Sequence, residues 1–178
     1  NALFQGVWGT AYVALMAPLP PEAFSLGPLA FSLGPLLVAL AYSRLLNLYW
    51  FFRISVCVEV IALLSVVAVL LYPQSFLLAA GVYLGFQLAL IFGNYLVRLE
   101  TLVLARESFK PVDIGKTLGA LAGALFALGF YQWARTWLET EDTYGLIQYL
   151  HYPLLIIQLS NLSLLIASFD LNKFDHPL

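Results

Sequence analysis

Glu59 is the only acidic residue in an otherwise apolar run, FFRISVCVEVIALLSVVAVLL, residues 51–71. Its carboxylate lies on the order of 8 Å inside the Arg53 boundary, at about 1.5 Å per helical residue, which is costly in hydrocarbon unless the group pairs, takes up a proton or reaches water. Two chemistries fit. One is a structural ion pair with Arg98, with Lys116 at similar depth; the other is ion coupling, in which Glu59 exchanges a proton or cation as a solute moves.

Rows of polar side chains accompany it. Tyr83, Gln87, Asn94 and Arg98 are spaced by four, seven and four residues, which keeps them on one face of a helix. Gln148, His151, Tyr152, Gln158, Asn161 and Ser168 form a longer row, and Gln5, Thr10 and Tyr12 a thinner one. Amides and hydroxyls inside apolar helices either bond helix to helix or line a wet path, and both readings stand. On the second reading, Tyr83, Gln87, Asn94, Gln148, His151, Gln158 and Asn161 contact a small solute, Arg98 attracts an anionic group on it, and Glu59 is the coupling site.

The elements that must position these residues are set by composition. Of 178 residues, 62% are hydrophobic and 10% charged, with a mean hydropathy of +0.88. Soluble domains carry roughly one quarter charged residues, so the chain reads as an integral membrane protein. Six apolar stretches, roughly Ala2 to Leu19, Phe24 to Ser43, Ile54 to Tyr72, Phe76 to Val97, Thr117 to Ala134 and Leu146 to Phe169, are each long enough to be read as a membrane-crossing helix. The breaks carry turn chemistry: PLPPE, YPQS and the acidic LETEDTYG. The ten-residue alternation of a membrane β-barrel is absent. The expected fold is therefore all-α, a single six-span bundle over residues 1–178.

Basic residues orient that bundle. Arg44, Arg53, Arg98, Arg106, Lys110, Lys116 and Lys173 fall on one side and only Arg135 on the other, so both termini are expected to be cytoplasmic and the membrane to be a plasma or inner membrane. Residues 98–116 then read as the longest cytoplasmic loop. Leu99, Leu102, Val103 and Leu104 allow a short interfacial helix within it.

Other classes find little support. Enzyme signatures such as GxSxG, HExxH or a phosphate loop do not occur, so no catalytic residue, cofactor or metal is expected. His151, beside Tyr152 and Pro153, reads as a hydrogen-bonded interior residue rather than a ligand. Cys57 cannot form an internal disulfide and reads as a small buried hydrophobe. No basic patch with interleaved aromatics points to nucleic acid. The start, Asn1-Ala2, has no cationic segment or cleavage site of a signal peptide and is compatible with a piece of a longer chain.

Small residues have a separate role. Gly115, Gly119 and Gly123 recur every four residues, continued by Ala127 and flanked by Ala120 and Ala124, which offers a smooth face to another helix, either for fixed packing or for sliding. The repeat AFSLGPLAFSLGPL places Gly27-Pro28 and Gly34-Pro35 on nearly one face, where each proline frees a carbonyl that a neighbour must satisfy.

GPLLVALAYSRLLNLYWFFRISV and ARESFKPVDIGKTLGALAGALFALG together resemble the second-to-third and fourth-to-fifth loops of one six-helix half of a major facilitator superfamily transporter. Arg44 and Arg53 stand for the basic residues of that family's first loop pattern, whose Asp and glycines are replaced here; Glu107, Gly115 and Gly119 match the second. The resemblance spans residues 34–129. It implies transport of a small solute, with a homo-oligomer or second membrane subunit completing the protein in the lipid bilayer. A non-catalytic scaffold or accessory subunit of a larger membrane complex is the alternative.

Overall fold

Helix starts and stops follow local chemistry. The computed structural model describes residues 1–72, 75–103, 108–139 and 141–169. Pro73 and Gln74 of the YPQS turn, Thr140, Leu104, Arg106, Glu107 and Lys173 lie outside the described residues. Among those described, seven helices and no strands occur: α1 (Ala2–Met16), α2 (Pro21–Leu40), α3 (Tyr42–Leu45), α4 (Leu48–Leu71), α5 (Phe76–Val103), α6 (Phe109–Leu138) and α7 (Thr143–Ser168).

Pro21 starts α2 at a position where its missing N–H has no partner to lose. Asn47 caps α4 by accepting the Trp50 amide at 2.9 Å, Ser75 caps α5 through the Leu78 amide at 3.0 Å, and Asp142 caps α7 through Tyr144 and Gly145. α6 closes on Glu139, whose φ of 46° is left-handed.

α2, α4, α5, α6 and α7 are long and apolar enough to cross a bilayer, which makes this a multi-pass membrane protein. α1 is apolar but holds only 15 residues, about 22 Å at 1.5 Å per residue, where the sequence suggested a run to Leu19. Stretch 98–116, expected to be a loop, is instead largely helical: α5 carries Arg98 and Glu100 on its last turns, and α6 carries Lys110, Asp113 and Lys116 on its first. Lys116 and Glu100 form an ion pair across the two ends. Helices continue beyond the apolar core because charged side chains are solvated at headgroup depth while the backbone ladder is unchanged.

α1 lies parallel to α6, and α2 parallel to α5. α4 packs antiparallel to both α5 and α7, and α1 antiparallel to α7, as the pairs Gly85–Ile61 and Tyr95–Ile54, Glu59–Gln158 and Leu70–Gln148, and Asn1–Asn161 and Trp8–His151 show. Exchanging α1, α2 and α4 for α5, α6 and α7 maps these principal pairings onto one another, although the α6–α7 contact has no such counterpart between α2 and α4. Since α1 and α5 run in opposite directions, the bundle has the pattern of two inverted three-helix units. Glycines follow the same logic. A Cβ on Gly123 would strike the Leu3 carbonyl and lie 2.9 Å from the Val7 nitrogen of α1, and one on Gly119 would meet the Ala2 Cβ at 3.0 Å. In the other unit, Gly27 faces Tyr83 and Gln87 of α5, and Gly34 faces Ile91. The second long helix of each unit thus approaches the first helix of the other through glycine.

One buried cluster joins Val7, Trp8, Ala11 and Leu15 of α1 to Val66 and Val69 of α4, Val82 of α5, Ala127 of α6 and Leu150 and Leu154 of α7. A smaller one joins Val38, Ile54, Ile91, Tyr95 and Leu99. Outward faces remain apolar, as Leu36, Leu37, Leu77 and Leu164 illustrate. Cys57, expected inside, is exposed on α4 because it points away from the face that buries Glu59.

Candidate functional site

Glu59 sits at the middle of the 24-residue α4, with 8% of its surface exposed. Its Oε2 accepts from Gln158 Nε2 of α7 at 2.7 Å, and the same amide nitrogen donates to the Glu59 carbonyl at 2.8 Å. The Asn1 side-chain amide donates to Oε1, and the Asn1 main-chain nitrogen donates to Asn161 Oδ1 at 3.2 Å. The carboxyl group is therefore held by two neutral side-chain amides, one from α7 and one from Asn1, which precedes α1. Arg98 is not its partner: that guanidinium lies 6.0 Å from the Tyr42 ring, near the far end of α5. The expected Glu59–Arg98 ion pair does not form because the polar face of α5 points to α2, while α7 faces Glu59.

The long row on α7 is largely spent on bonds between and within helices. Gln148 donates to the Leu70 carbonyl of α4 at 2.8 Å, and His151 Nδ1 lies 2.7 Å from the Ile147 carbonyl, with the Trp8 ring edge-on at 5.4 Å. His151 and Gln158 are fully buried, whereas Tyr152 faces outward and Ser168 bonds its own helix at Leu165. Three buried polar atoms have no partner among the described residues: His151 Nε2, Gln158 Oε1 and Asn161 Nδ2. Buried polar atoms are usually paired, so three in one helix mark unused bonding capacity.

The α5 row divides. Tyr83 donates to the Phe24 carbonyl at 3.3 Å, the acceptor that Pro28, with no N–H, leaves free in α2. The Asn94 and Arg98 side chains are exposed and form no hydrogen bond or ion pair among the described residues, the Tyr42 ring being the neighbour of the guanidinium. They line a cavity of about 440 Å³ between α2, α3 and α5, with Ser32, Tyr42 and Tyr95 among its other walls. Sequence reasoning missed Ser32 and Tyr42, which lie on α2 and α3 outside any polar row. It also missed Asn1, for which no spacing signal exists.

Hence the candidate residues form two groups. On the α7 side, Glu59 and Gln158 meet between α4 and α7 and Asn161 is reached by Asn1, while Gln148 bonds Leu70 about three turns further along α4 and His151 turns to Trp8 of α1. Tyr83, Gln87, Asn94 and Arg98 gather on the α5 face toward α2, and α4 separates the groups. The thin row on α1 scatters as well: Gln5 is exposed, Tyr12 packs on Phe86 with ring centres 4.3 Å apart, and Thr10 bonds the Val7 carbonyl. Thr10 also borders a second cavity, of about 320 Å³, lined by Tyr131, Gln132, Arg135 and Thr143 at the opposite end of the bundle.

Compared with known proteins, the chain matches no family model, no curated protein and no solved structure.

Proposed function

We propose that this chain binds a small solute bearing an anionic group and moves it across the membrane, entering at the Arg98 cavity, with Glu59 as the coupling carboxyl. The observation that carries the reading is that the Asn94 and Arg98 side chains face a cavity of about 440 Å³ and make no hydrogen bond or ion pair among the described residues. Groups serving only to bind helices would be spent on neighbouring helices, as Gln148 is on Leu70. A guanidinium beside an amide and a tyrosine hydroxyl offers charge-assisted bonds to a carboxylate, sulfonate or phosphate.

Three further features support it. The two inverted three-helix units and their glycine contacts suit a bundle that rocks about its middle. A buried Glu59 beside the unpaired Gln158 Oε1 gives oxygen ligands for a cation, or a carboxyl that can take a proton. The basic end, with Arg44, Arg53, Arg98, Lys110 and Lys116, is cytoplasmic by the positive-inside rule in a six-span arrangement that counts α1 as the first span. The resemblance to half of a major facilitator transporter agrees with this picture.

The test is a thermal-shift screen of purified protein with small carboxylates, sulfonates and phosphates beside neutral analogues. An anionic hit is expected to bind Arg98→Gln at least about tenfold more weakly, the scale of one charge-assisted hydrogen bond. Equal binding by both proteins, or stabilisation by neutral analogues alone, would remove Arg98 from the site.

A second reading, a non-catalytic membrane subunit, is favoured by the α7 row, whose Gln148 and Gln158 bond other helices. Solute uptake by proteoliposomes separates the two, because a scaffold gives none.

A further inference from the structure

We propose that the cavity between α1, α6 and α7 is a phospholipid site in which Arg135 holds the phosphodiester. Arg135 is the only basic residue at its end of the bundle among those described, and it forms no ion pair there. It lines a cavity of about 320 Å³ whose polar walls are Thr10, Tyr131, Gln132 and Thr143 and whose apolar walls include Leu128 and Ile147. The volume suits a phosphodiester and glycerol backbone but not two acyl chains. Those would lie along the outward apolar surface that begins at Leu128, which is 56% exposed.

Depth identifies the occupant. Trp133 and Trp137 are exposed on the last turns of α6, with ring centres 6.1 Å apart, and Trp and Tyr concentrate where acyl chains meet headgroups. Arg135 lies between them in sequence, so the cavity mouth opens at the level of lipid phosphates. Glu139, Glu141 and Asp142 follow on the adjoining turn, and this acidic run disfavours a free anion. A phosphate delivered on an amphiphile gains apolar contact as well and overcomes that penalty. The N-terminus of α7 is no rival anchor, because the Asp142 carboxylate already accepts its Tyr144 and Gly145 amides.

The test uses delipidated full-length protein in detergent, with native mass spectrometry of added dioleoyl phosphatidylglycerol. Dioleoylglycerol, which has the same chains and no phosphate, and inorganic phosphate are the comparison probes. The phospholipid is expected to be retained, with Arg135→Gln weakening it at least about tenfold and Arg53→Gln, at the other end, leaving it unchanged. Leu128→Trp, which crowds the apolar wall at an exposed position, is expected to weaken it as well and gives a second readout should Arg135→Gln not fold. Unchanged retention by either variant overturns the proposal. So does equal binding of dioleoylglycerol, which would mean chain contact alone, or equal binding of inorganic phosphate, which would mean a free-anion site.

Discussion

At the scale of single residues, the bonds of Glu59 predict an asymmetry that an ion pair would not give. Removing one member of an ion pair strands a buried charge, whereas the two groups that donate to this carboxyl, the Gln158 and Asn1 side chains, are neutral amides. Glu59→Gln keeps the volume, removes a desolvation penalty and turns one accepted hydrogen bond into an opposed pair of donors, so a loss of about 1 kcal/mol or less is expected. Gln158→Leu deprives the carboxyl of a side-chain donor and the Glu59 carbonyl of the same amide, and should cost about 2–3 kcal/mol. Unfolding of the purified variants in detergent measures both. A larger loss for Glu59→Gln, relieved by adding Arg98→Met, would restore the ion pair. Sequence made the need for partners at Glu59 legible, because a carboxyl in an apolar run must be accounted for. It did not reveal the partner: periodicity tells which residues share a face and is silent on which helix that face meets. Arg98 has the right charge and the wrong side of α5.

At the scale of elements, the close approach of α1 and α6 predicts different outcomes along one row of glycines. Gly123→Leu would drive a side chain into the Leu3 and Val7 backbone, and since backbone cannot swing aside as a flexible side chain does, about 1–3 kcal/mol of stability should be lost. Gly115→Leu, on the same row, meets nothing within 4 Å and should be nearly neutral. Equal losses in the same unfolding measurement would mean that α6 packs differently. The four-residue repeat made the small face readable in advance, but not that its first glycine overshoots the partner helix. The GP repeat was readable in the same partial way: each freed carbonyl was expected to find a donor, and for Pro28 the structure identifies it as the Tyr83 hydroxyl. The apolar runs made five long helices legible but not their ends: α1 stops at Met16, and α5 and α6 carry their helices into the charged residues at 98–103 and 109–116, because charge marks where hydrocarbon ends rather than where a helix ends.

At the scale of the whole molecule, the alternation of helix directions puts Ser43 and Lys110 at the basic end and Tyr72 and Glu141 at the other. If the basic end is cytoplasmic, the Arg98 cavity opens to the cytoplasm and the Arg135 cavity to the outer leaflet, so orientation decides which solutes and which lipids each can meet. Single cysteines at these four positions are best placed in a Cys57→Ser background, so that each variant carries one thiol. An impermeant maleimide applied to intact cells should then label the Tyr72 and Glu141 positions, and the Ser43 and Lys110 positions only after permeabilisation. The reverse pattern would turn the bundle over and exchange the roles of the two cavities while leaving the fold intact. Mixed labelling within a pair would be more damaging, since Lys110 lies at the start of α6 and Glu141 beyond its end, and Ser43 and Tyr72 flank α4; the same face at both ends of either helix would mean that it does not cross. Agreement at all four sites would fix α4 and α6 as spans in a defined direction, and with them the side from which Arg98 receives its solute.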